Sequence, residues 1–334
     1  MENKKETVCA VVVTYNRKKL LLECLEAIRK QTRPVQGIYL IDNASADGTP
    51  KLLLEKGYIK ELPPENLTEP WEEEFEIKNL TDGEVIKLHY VRMHENTGGA
   101  GGFHEGVKRA YKKGYDWLWL MDDDVKPLKE GLKTMLKYKS VADCIHPSWQ
   151  YLNNTKFNWE ARYFPIKKSK KVAQQGLSFK VINYGCFEGM LIHRKLVKKI
   201  GFPDPKFFIR FDDTIYGFLA SKAGRNIYID EVCFIKMRMP LKVKSRFLWL
   251  TSIRTVENEI RLYYEIRNRF LIIKYLKQYN VFSKCGYLHT VVYLLRRFLG
   301  IILFDKNKFK KIQYFFRGLI DGIQGNYGKC EFCK

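Results

Sequence analysis

The stretch from Trp117 to Val125 constrains the fold more than any other part of this sequence, because an apolar run ends abruptly in three aspartates. Such a run predicts a buried strand that delivers Asp122, Asp123 and Asp124 to the edge of a sheet. Neighbouring anions repel each other by roughly 1 kcal/mol per close pair even in water. We therefore expect a cation at this edge, and a hard divalent ion such as Mg²⁺ or Mn²⁺ that bridges to phosphate groups suits carboxylate ligands. The simpler alternative is a solvated acidic turn.

The N-terminal region alternates strand and helix patterns, which is typical of an α/β fold with a mostly parallel sheet flanked by helices. A continuous apolar run from Val8 to Thr14 predicts a strand covered on both faces, and a second short strand is predicted from Ile38 to Ile41. In such sheets ligands bind beyond the carboxyl ends of the strands. The segment Tyr15 to Arg17 and the side chain of Asp42 follow these two strands and are therefore candidate ligand contacts.

A glycine-rich segment follows the next predicted strand, Lys87 to Met93, and precedes a helix through Tyr111. It contains Asn96, Gly98 and Gly99, and glycines there let the backbone approach a ligand whose negative charge faces helix N–H groups. The spacing matches neither the Walker A motif nor the dinucleotide fingerprint, so a phosphate cradle and a tight turn both remain open. Residues 59–87, rich in proline and glutamate, predict an acidic surface insertion with a hairpin as one form.

Two further segments carry candidate functional residues. Between Val181 and His193, two strand-like halves meet at Gly185 to Gly189, where glycine indicates a bulge or a backbone pressed against a ligand. Later, Asp212 and Asp213 follow aromatic residues and precede an apolar helix. One carboxylate can cap that helix while the other serves as a general base, although both can be plain caps.

The charge of the chain predicts a polyanionic partner, since 59 Lys and Arg face 37 Asp and Glu. From residue 241 onward, basic residues alternate with Leu, Tyr, Phe and Ile at helical spacing, which predicts amphipathic helices that pack on the core or lie on an anionic membrane surface. The run Tyr287 to Phe304 is interrupted by Arg296 and Arg297, so we expect a helix lying on the membrane rather than one crossing it.

The cysteines and the N-terminus point to the cytoplasm. The eight cysteines are scattered, and the first residues lack the apolar core of a signal peptide, so we expect reduced thiols in a cytosolic protein. Cys330 and Cys333 form a single CxxC pair without further ligands at metal spacing, which is a weak indication of zinc.

Taken together, these motifs resemble glycosyltransferase family 2, whose nucleotide-sugar-binding fold is of the A type. The matching stretches run from residue 8 to about residue 240 in the family's order; they are Val11–Arg17, Ile41–Ser45, Asn96–Phe103, Asp122–Asp124 and Phe211–Asp213. Within the family, the glycine segment followed by three aspartates is most similar to galactofuranosyltransferases, with bacterial rhamnosyltransferases next. The resemblance implies a catalytic domain over residues 1–240 and leaves residues 241–334 as a basic helical region on the inner face of the membrane.

The resemblance also implies roles for individual residues in holding a nucleotide-sugar donor. Thr14 and Tyr15 would line the nucleotide pocket, Arg17 would pair with a phosphate, and Asp42 would accept the uracil N–H. Asn96 would hold the ribose and the diphosphate, together with the backbone at Gly98 and Gly99.

The same resemblance assigns the chemistry. Asp122 and Asp124 would bind the donor through Mn²⁺ or Mg²⁺, and Asp123 would orient the sugar or ribose. Asp213, beside Asp212, would deprotonate an acceptor hydroxyl for a single in-line attack with inversion, while the metal stabilises the departing diphosphate. The donor would be UDP-galactofuranose and the acceptor a cell-surface or capsular polysaccharide or a lipid-linked glycan.

Two positions depart from the pattern of the galactofuranosyltransferases. Ile215 stands where an acidic residue is expected, and the strand that should end in a metal-binding histidine offers Phe234 to Met237 instead. Either water completes the metal shell or Lys236 replaces part of its charge.

Three alternatives to this function stay open. The nearest is rhamnosyl transfer from dTDP-rhamnose. A noncatalytic sugar-nucleotide-binding protein would explain the missing histidine, and a nucleic-acid-binding module would explain the charge of +22. Against nucleic acid, no DNA- or RNA-reading motif is present and the basic residues concentrate in the C-terminal helices.

Overall fold

The computed structural model describes residues 6–157, 170–247, 250–255, 257–282, 284–305 and 307–332. The chain forms two compact units. The first comprises Met1–Asp204 and Tyr216–Arg238, and the second comprises Pro205–Ile215 and Met239–Lys334. The polypeptide therefore leaves the first unit for eleven residues before it returns, and that short excursion contains Asp212 and Asp213.

The first unit is built on one large sheet. Its strands are β1 Val8–Thr14, β2 Gly37–Asp42, β3 Trp71–Lys78, β4 Val85–Arg92, β5 Trp117–Asp122, β6 Val125–Pro127, β7 Cys144–Tyr151, β8 Lys156–Phe157, β9 Lys170–Gln174, β10 Leu177–Val181, β11 Met190–His193 and β12 Asn226–Lys236. They lie in the order β3-β4-β2-β1-β5-β11-β7-β12-β10-β9, with β6 paired to β12 and β8 to β7. The four strands that carry the N-terminal motifs, β4, β2, β1 and β5, are parallel to one another.

Helices cover both faces of this sheet because its central strands are apolar on both sides. The helices of this unit are α1 Lys18–Arg29, α2 Thr49–Glu55, α3 Gly98–Lys113, α4 Gly131–Leu136, α5 Arg194–Ile200 and α6 Asp212–Ala223, of which α6 begins in the second unit. Alternate residues of β1 enter two separate apolar clusters, Val12 joining Leu25 of α1 and Val11 joining Val107 of α3. The predicted α/β architecture is thereby confirmed.

The parallel register brings the polar ends of the strands to one edge. Thr14 of β1 is paired with Asp42 of β2, and Val13 is paired with Asp122 of β5. Three motifs that are far apart in the sequence therefore meet at the carboxyl edge of the sheet, as the sequence predicts.

Two sequence interpretations need correction in this unit. Residues 59–87 are not only a surface insertion. They contain β3, which forms the predicted hairpin by pairing antiparallel with β4 and is the edge strand of the main sheet. The glycine-rich segment is also not a loop, since α3 already begins at Gly98. Its glycines serve packing: a Cβ on Gly102 would lie 2.6 Å from Val13, and one on Gly106 would lie 2.3 Å from Val11.

The glycines between β10 and β11 likewise contact protein rather than open space for a ligand. A Cβ on Gly185 would lie 2.9 Å from the Cα of Gly217, and one on Gly189 would lie 2.6 Å from the ring of Phe234. Gly189 also has φ +96°, so both its conformation and its surroundings require glycine. These residues therefore fix the path of the chain on either side of Glu188.

The second unit begins differently from the predicted run of helices. The strands β13 Lys242–Phe247 and β14 Leu250–Thr255 pair antiparallel as a hairpin, and in the described residues that follow the chain forms the helices α7 Glu259–Gln278, α8 Lys284–Phe304 and α9 Lys308–Gln324. Leu262, Ile266, Ile301 and Phe315 form the apolar core of the three helices. The expectation of helices from residue 241 was wrong for the hairpin and correct from residue 259 onward.

Helix α8 leaves much of its apolar surface exposed. Residues 286–304 are long and apolar enough to cross a membrane by length and composition, and only 11% of this window is buried. Leu288 is 65% exposed, and Leu295 and Leu299 are exposed on the same side of the helix at spacings of seven and four residues.

Candidate active site

The buried centre of the candidate site is Asp123, directly after β5. Its side chain is 0% exposed; Thr14 donates its hydroxyl proton to Oδ2 at 2.6 Å, and Arg17 donates from Nη1 to Oδ1 at 2.7 Å. The end of β1 therefore supplies both partners of a carboxylate on the neighbouring strand. Burial raises the pKa of Asp123 to about 7, with Asp122 and Asp124 adding to the shift and Arg17 and Thr14 opposing it.

Asp124 is paired with two cations of the protein itself. Its Oδ2 lies 3.1 Å from Nη1 of Arg17, and its Oδ1 accepts a hydrogen bond of 2.6 Å from Nζ of Lys236. Burial alone would raise the pKa of Asp124, but Lys236 and Arg17 hold it below its ordinary value. Asp124 is therefore anionic at neutral pH, with both oxygens engaged.

The backbone explains how Lys236 reaches this position. Strand β12 pairs antiparallel with β6, so that Lys236 is opposite Val125, and the amide of Met237 donates to the carbonyl of Asp124 at 2.9 Å. The aspartates and the lysine are thus joined by main-chain hydrogen bonds as well as by their side chains. This lysine stands at the end of the strand where the family resemblance places a histidine.

Glu188 completes the cluster, and the sequence analysis did not identify it. Nζ of Lys236 donates to its Oε1 at 2.5 Å, while among the described residues no group hydrogen-bonds to its buried Oε2. Burial, together with Asp122 and Asp124, raises the pKa of Glu188 to about 7 against the opposing effect of Lys236. Its only signal in the sequence is an acidic residue between Gly185 and Gly189, in a segment otherwise apolar.

The cluster offers a set of ligands that suits a hard cation. One carboxylate oxygen each of Asp122, Asp124 and Glu188 lies within 4.8 Å of the other two. Oxygen ligands of this kind are those that Mg²⁺ and Mn²⁺ prefer. The carboxylates of Asp123, Asp124 and Glu188 are paired with Arg17 and Lys236, and Asp122 adds a further negative charge beside them, so a divalent cation would balance part of the charge of this cluster.

The remaining predicted donor contacts lie at the same edge of the sheet. Asp42 is fully buried and accepts hydrogen bonds from the hydroxyl of Tyr90, from Arg92 and from the amide of Ser45. These contacts fix the turn after β2, and the predicted contact of Asp42 with a nucleobase stays a prediction. Tyr15 is 41% exposed at the end of β1, where a flat ligand can reach its ring.

Asparagine side chains connect the turn after β2 to the start of α3. Asn43 donates to Oδ1 of Asn96 at 3.1 Å and to the carbonyl of Gly98 at 2.8 Å. Asn96 in turn accepts from the amide of Gly98 at 2.8 Å. Gly99 has no atom within 4 Å of the position of a Cβ, so this side of the first turn of α3 is open. Asn96, Gly98 and Gly99 are thus held together next to the turn that carries Asp42.

Asp212 and Asp213 belong to the second unit, where they open α6. Asp212 is buried, whereas Asp213 is half-buried and accepts a 2.6 Å hydrogen bond from the amide of Thr214. The residues just before them are strained: Phe208, Arg210 and Phe211 have φ of 61°, 75° and 71°, in the left-handed region that non-glycine residues rarely adopt. Strain of this kind is concentrated at functional sites.

Helix α7 holds this strained segment in place. Asn268, fully buried, donates from Nδ2 to the carbonyls of Phe207, Ile209 and Arg210 at 2.8–3.0 Å. Arg267 donates from Nη2 to the carbonyl of Phe207 at 3.0 Å and to Oδ1 of Asn268 at 2.7 Å. Two residues of a helix predicted to be basic and amphipathic are therefore internal, and their polar groups serve to position the backbone before Asp212.

Of the two cysteines in the C-terminal CxxC pair, Cys330 is a free thiol and Cys333 lies outside the described residues. Zinc binding by this pair therefore stays a prediction. His193, considered above as the end of a strand, accepts at Nδ1 from the amide of Lys195 and so caps α5.

Comparison with known proteins identifies the family. The sequence profile of glycosyl transferase family 2 matches residues 9–60 and 74–201, more than half of the chain. The galactofuranosyltransferase GlfT1 of Mycolicibacterium smegmatis is 26% identical over 221 residues, which cover 63% of each chain. GlfT1 of Mycobacterium tuberculosis is 27% identical over 217 residues, 63% of this chain and 62% of that protein. The chain thus spans less than two thirds of the length of these relatives.

Solved structures share the fold at low sequence identity. S. aureus TarS in complex with UDP-GlcNAc has a TM-score of 0.52 at 16% identity, covering 95% of this chain and 81% of that one. A mannosyltransferase from Pyrobaculum calidifontis, in complex with GDP-Man and Mn²⁺, has a TM-score of 0.50 at 13% identity, covering 97% and 88%. With its A-type fold, its ordered motifs and this match over more than half of its length, the chain belongs to glycosyltransferase family 2.

Proposed function

We propose that the protein is an inverting glycosyltransferase that transfers galactofuranose from UDP-galactofuranose to a cell-surface or capsular polysaccharide or to a lipid-linked glycan. The observation that carries the proposal is the group of Arg17, Asp122, Asp123 and Asp124 at the carboxyl edge of the sheet, in a chain whose relatives are named galactofuranosyltransferases. A cation-paired acidic edge of this kind suits a sugar linked to a diphosphate.

In this proposal the donor lies along the ends of β1, β2 and β5. Thr14 and Tyr15 contact the nucleoside, Asp42 meets the pyrimidine, and Arg17 pairs with the diphosphate, as the family resemblance implies. Asn96 and the first turn of α3, with Gly98 and the open side at Gly99, accommodate the ribose and phosphates. Buried Asp123 orients the sugar or ribose, and it is held in one rotamer by Thr14 and Arg17.

A divalent ion, Mn²⁺ or Mg²⁺, would be held by Asp122 and Asp124, with Glu188 as a third carboxylate, because their oxygens lie within 4.8 Å of one another. When bound, such an ion acts as a Lewis acid on the departing diphosphate. Arg17 offsets the negative charge of the diphosphate, and Asp123 keeps the sugar or ribose of the donor in its orientation.

Asp213 is the proposed general base. Its carboxylate takes the proton of the acceptor hydroxyl while that oxygen bonds to the anomeric carbon and the bond to the diphosphate breaks on the opposite face, which inverts the configuration. Asp212 is buried beside it in the first turn of α6, where its charge favours the helix N-terminus. The strained segment 208–211 before them is consistent with a residue placed for chemistry.

Transfer assays with purified donors test this function. UDP-galactofuranose should release UDP in the presence of Mn²⁺ and acceptor glycans, whereas dTDP-rhamnose should not. Asp213→Asn should lower turnover at least 100-fold while UDP still binds; the exposed Asp82→Asn variant is the matched control. Turnover of dTDP-rhamnose alone would support the rhamnosyltransferase alternative, tight donor binding without turnover of any donor would support a noncatalytic protein, and substantial activity in Asp213→Asn would remove the proposed base.

We also propose that α8 and α9 place the enzyme on the anionic, cytoplasmic face of the cell membrane. Residues 284–324 carry eight Lys or Arg and two Asp, and next to these charges apolar side chains are exposed, among them Leu288, Leu295 and, at 93%, Phe309. An amphipathic surface of this composition binds anionic lipid through apolar contact and charge.

Vesicle sedimentation tests the membrane contact. The protein should bind vesicles with phosphatidylglycerol and should be released by alkaline carbonate, as expected for a helix lying on the surface. Leu288→Gln combined with Leu295→Gln should weaken binding, whereas the exposed Leu62→Gln in the first unit should not. Resistance to carbonate would instead indicate a helix that crosses the membrane, and steep salt-dependent binding to duplex DNA without vesicle binding would favour the nucleic-acid alternative.

A further inference from the structure

The acidic cluster already contains a cation at the position where a divalent ion would bind. Nζ of Lys236 lies 2.6 Å from Oδ1 of Asp124 and 2.5 Å from Oε1 of Glu188, and the negative charge of Asp122 also stabilises the ammonium group. Two of the three carboxylates that form the proposed metal triad, Asp122, Asp124 and Glu188, are therefore bound to one ammonium group.

An ion and this ammonium group compete for the same carboxylates. A divalent ion requires carboxylate oxygens at roughly 2.0–2.6 Å, and Lys236 already holds one oxygen of Asp124 and one of Glu188. The other oxygen of Asp124 faces Arg17 at 3.1 Å, so Asp124 has no oxygen without a cation partner. Binding of the ion must displace Lys236 or share Asp124 with it, at the cost of charge repulsion.

Lys236 is also fixed from both sides. Its backbone is held by the pairing of β12 with β6 and by the hydrogen bond from Met237 to Asp124, and its side chain is only 14% exposed. A surface lysine could move into water at little cost, whereas this one would leave Glu188 without its ion pair and Asp124 with Arg17 as its remaining ion pair among the described residues. The competition is therefore built into the fold.

We propose that Lys236 is a resident cation of the acidic triad: it weakens the binding of divalent metal and offers its own charge to the diphosphate of the donor. The statement about the donor rests on the function proposed above, whereas the statement about metal does not. The chain would then bind metal weakly when free and would retain part of its donor affinity without metal.

Metal binding to the free protein tests the first statement. Mn²⁺ affinity would be measured by electron paramagnetic resonance for the wild type, for Lys236→Met and for the control Lys126→Met, an exposed lysine of β6 on the adjacent strand. We expect Lys236→Met to bind Mn²⁺ at least tenfold more tightly than the other two proteins. Equal affinity in all three, or weaker binding by Lys236→Met, would overturn the proposal.

A second variant covers the case in which an unpaired Glu188 destabilises Lys236→Met. The double variant Lys236→Met/Glu188→Gln removes one positive and one negative charge together, and Asp122 and Asp124 remain. It should still bind Mn²⁺ more tightly than Glu188→Gln alone, in which Lys236 stays next to Asp124. Equal affinity of these two proteins would likewise overturn the proposal.

Donor binding tests the second statement. Calorimetry with UDP in EDTA should give a measurable affinity for the wild type, at least tenfold weaker for Lys236→Met and unchanged for Lys126→Met. Loss of all UDP binding by the wild type in EDTA, with binding restored by Mn²⁺, would refute the donor half of the proposal. Absence of UDP binding under every condition would count against the proposed function, and the Mn²⁺ comparison would then decide the role of Lys236 by itself.

Discussion

Replacing Asn268 should release the strained segment that precedes Asp212. The amide of Asn268 donates to three backbone carbonyls of residues 207–210, and its oxygen accepts from Nε and Nη2 of Arg267 at 2.9 and 2.7 Å. Asn268→Ala leaves these groups buried without their partner, and each buried unsatisfied group costs about 1–3 kcal/mol. The amide group has two hydrogens and so makes two full hydrogen bonds to these three carbonyls. We therefore expect the loss of two hydrogen bonds to lower local stability by about 2–4 kcal/mol.

This loss is comparable to the strain that the segment stores. Each non-glycine residue in the left-handed region costs roughly 1–2 kcal/mol, and Phe208, Arg210 and Phe211 all adopt it. Arg267 would still hold the carbonyls of Lys206 and Phe207. The carbonyls of Ile209 and Arg210 would lose the hydrogen bonds that Asn268 donates to them. The segment should then relax, and Asp213 should lose its fixed position.

Hydrogen exchange is the suitable assay, because the chain has two units and global unfolding need not be two-state. Amides of residues 206–213 should exchange roughly 30- to 1,000-fold faster in Asn268→Ala, which is the stated loss expressed as a rate ratio. The control Gln278→Ala removes an exposed amide from the same helix and should leave exchange unchanged. Acceleration of less than about threefold in Asn268→Ala would refute the reasoning that Asn268 holds this segment.

Three further predictions concern the first unit. Gly106→Ala should lower stability by about 1–3 kcal/mol, because the new Cβ would lie 2.3 Å from Val11, whereas Gly99→Ala meets open space and should change the melting temperature little; equal shifts would contradict the packing role. Asp42→Asn should lower stability by about 3–5 kcal/mol in denaturant unfolding, since Arg92 loses its buried anionic partner; a change below about 1 kcal/mol would contradict this. Burial lowers the pKa of His146 to about 4, so the unfolded chain takes up a proton first as the pH falls below 6.5, and about 3 kcal/mol should be lost between pH 6.5 and 4; His146→Gln should flatten this slope in urea titrations, and an unchanged slope would refute the assignment.

The parallel half of the fold follows directly from the sequence, because each of its strands is an apolar run with a polar end. Strand β1 has the predicted bounds, Val8–Thr14, and β2 and β5 differ from the predictions by a residue or so at either end. Parallel pairing then brings Thr14, Asp42 and Asp122 to one edge without further information.

The antiparallel half could not be predicted in the same way, since its pairings depend on tertiary structure. Lys236 reaches Asp124 only because β12 returns beside the three-residue strand β6, and Glu188 reaches Lys236 only because glycines on either side of it pack against protein. A lysine at a strand end and a lone glutamate in an apolar segment have no periodic signal. The glycines near α3 do form a clear sequence pattern, but the pattern does not reveal their role, because close packing and phosphate binding both favour glycine.

The sequence predicts the basic helices of the second unit but not the contacts inside it. Basic residues at helical spacing correctly indicated α7, yet Arg267 and Asn268 are buried and hold the segment before Asp212. A basic pattern alone cannot distinguish an arginine that faces solvent or lipid from one that donates to buried carbonyls. The hairpin β13–β14 departs from the prediction because the basic and apolar residues of this segment fit the helical period as well as the alternation of a strand.

The central claim is that the carboxyl edge of β1, β2 and β5 binds a uridine diphosphate sugar. Thermal shift with a panel of nucleotide sugars tests it most directly, because no acceptor is needed. UDP-galactofuranose should raise the melting temperature of the wild type by several degrees at a hundredfold excess over its dissociation constant, and Arg17→Met should abolish the shift. A shift with dTDP-rhamnose alone, or an equal shift in Arg17→Met, would contradict the proposed site.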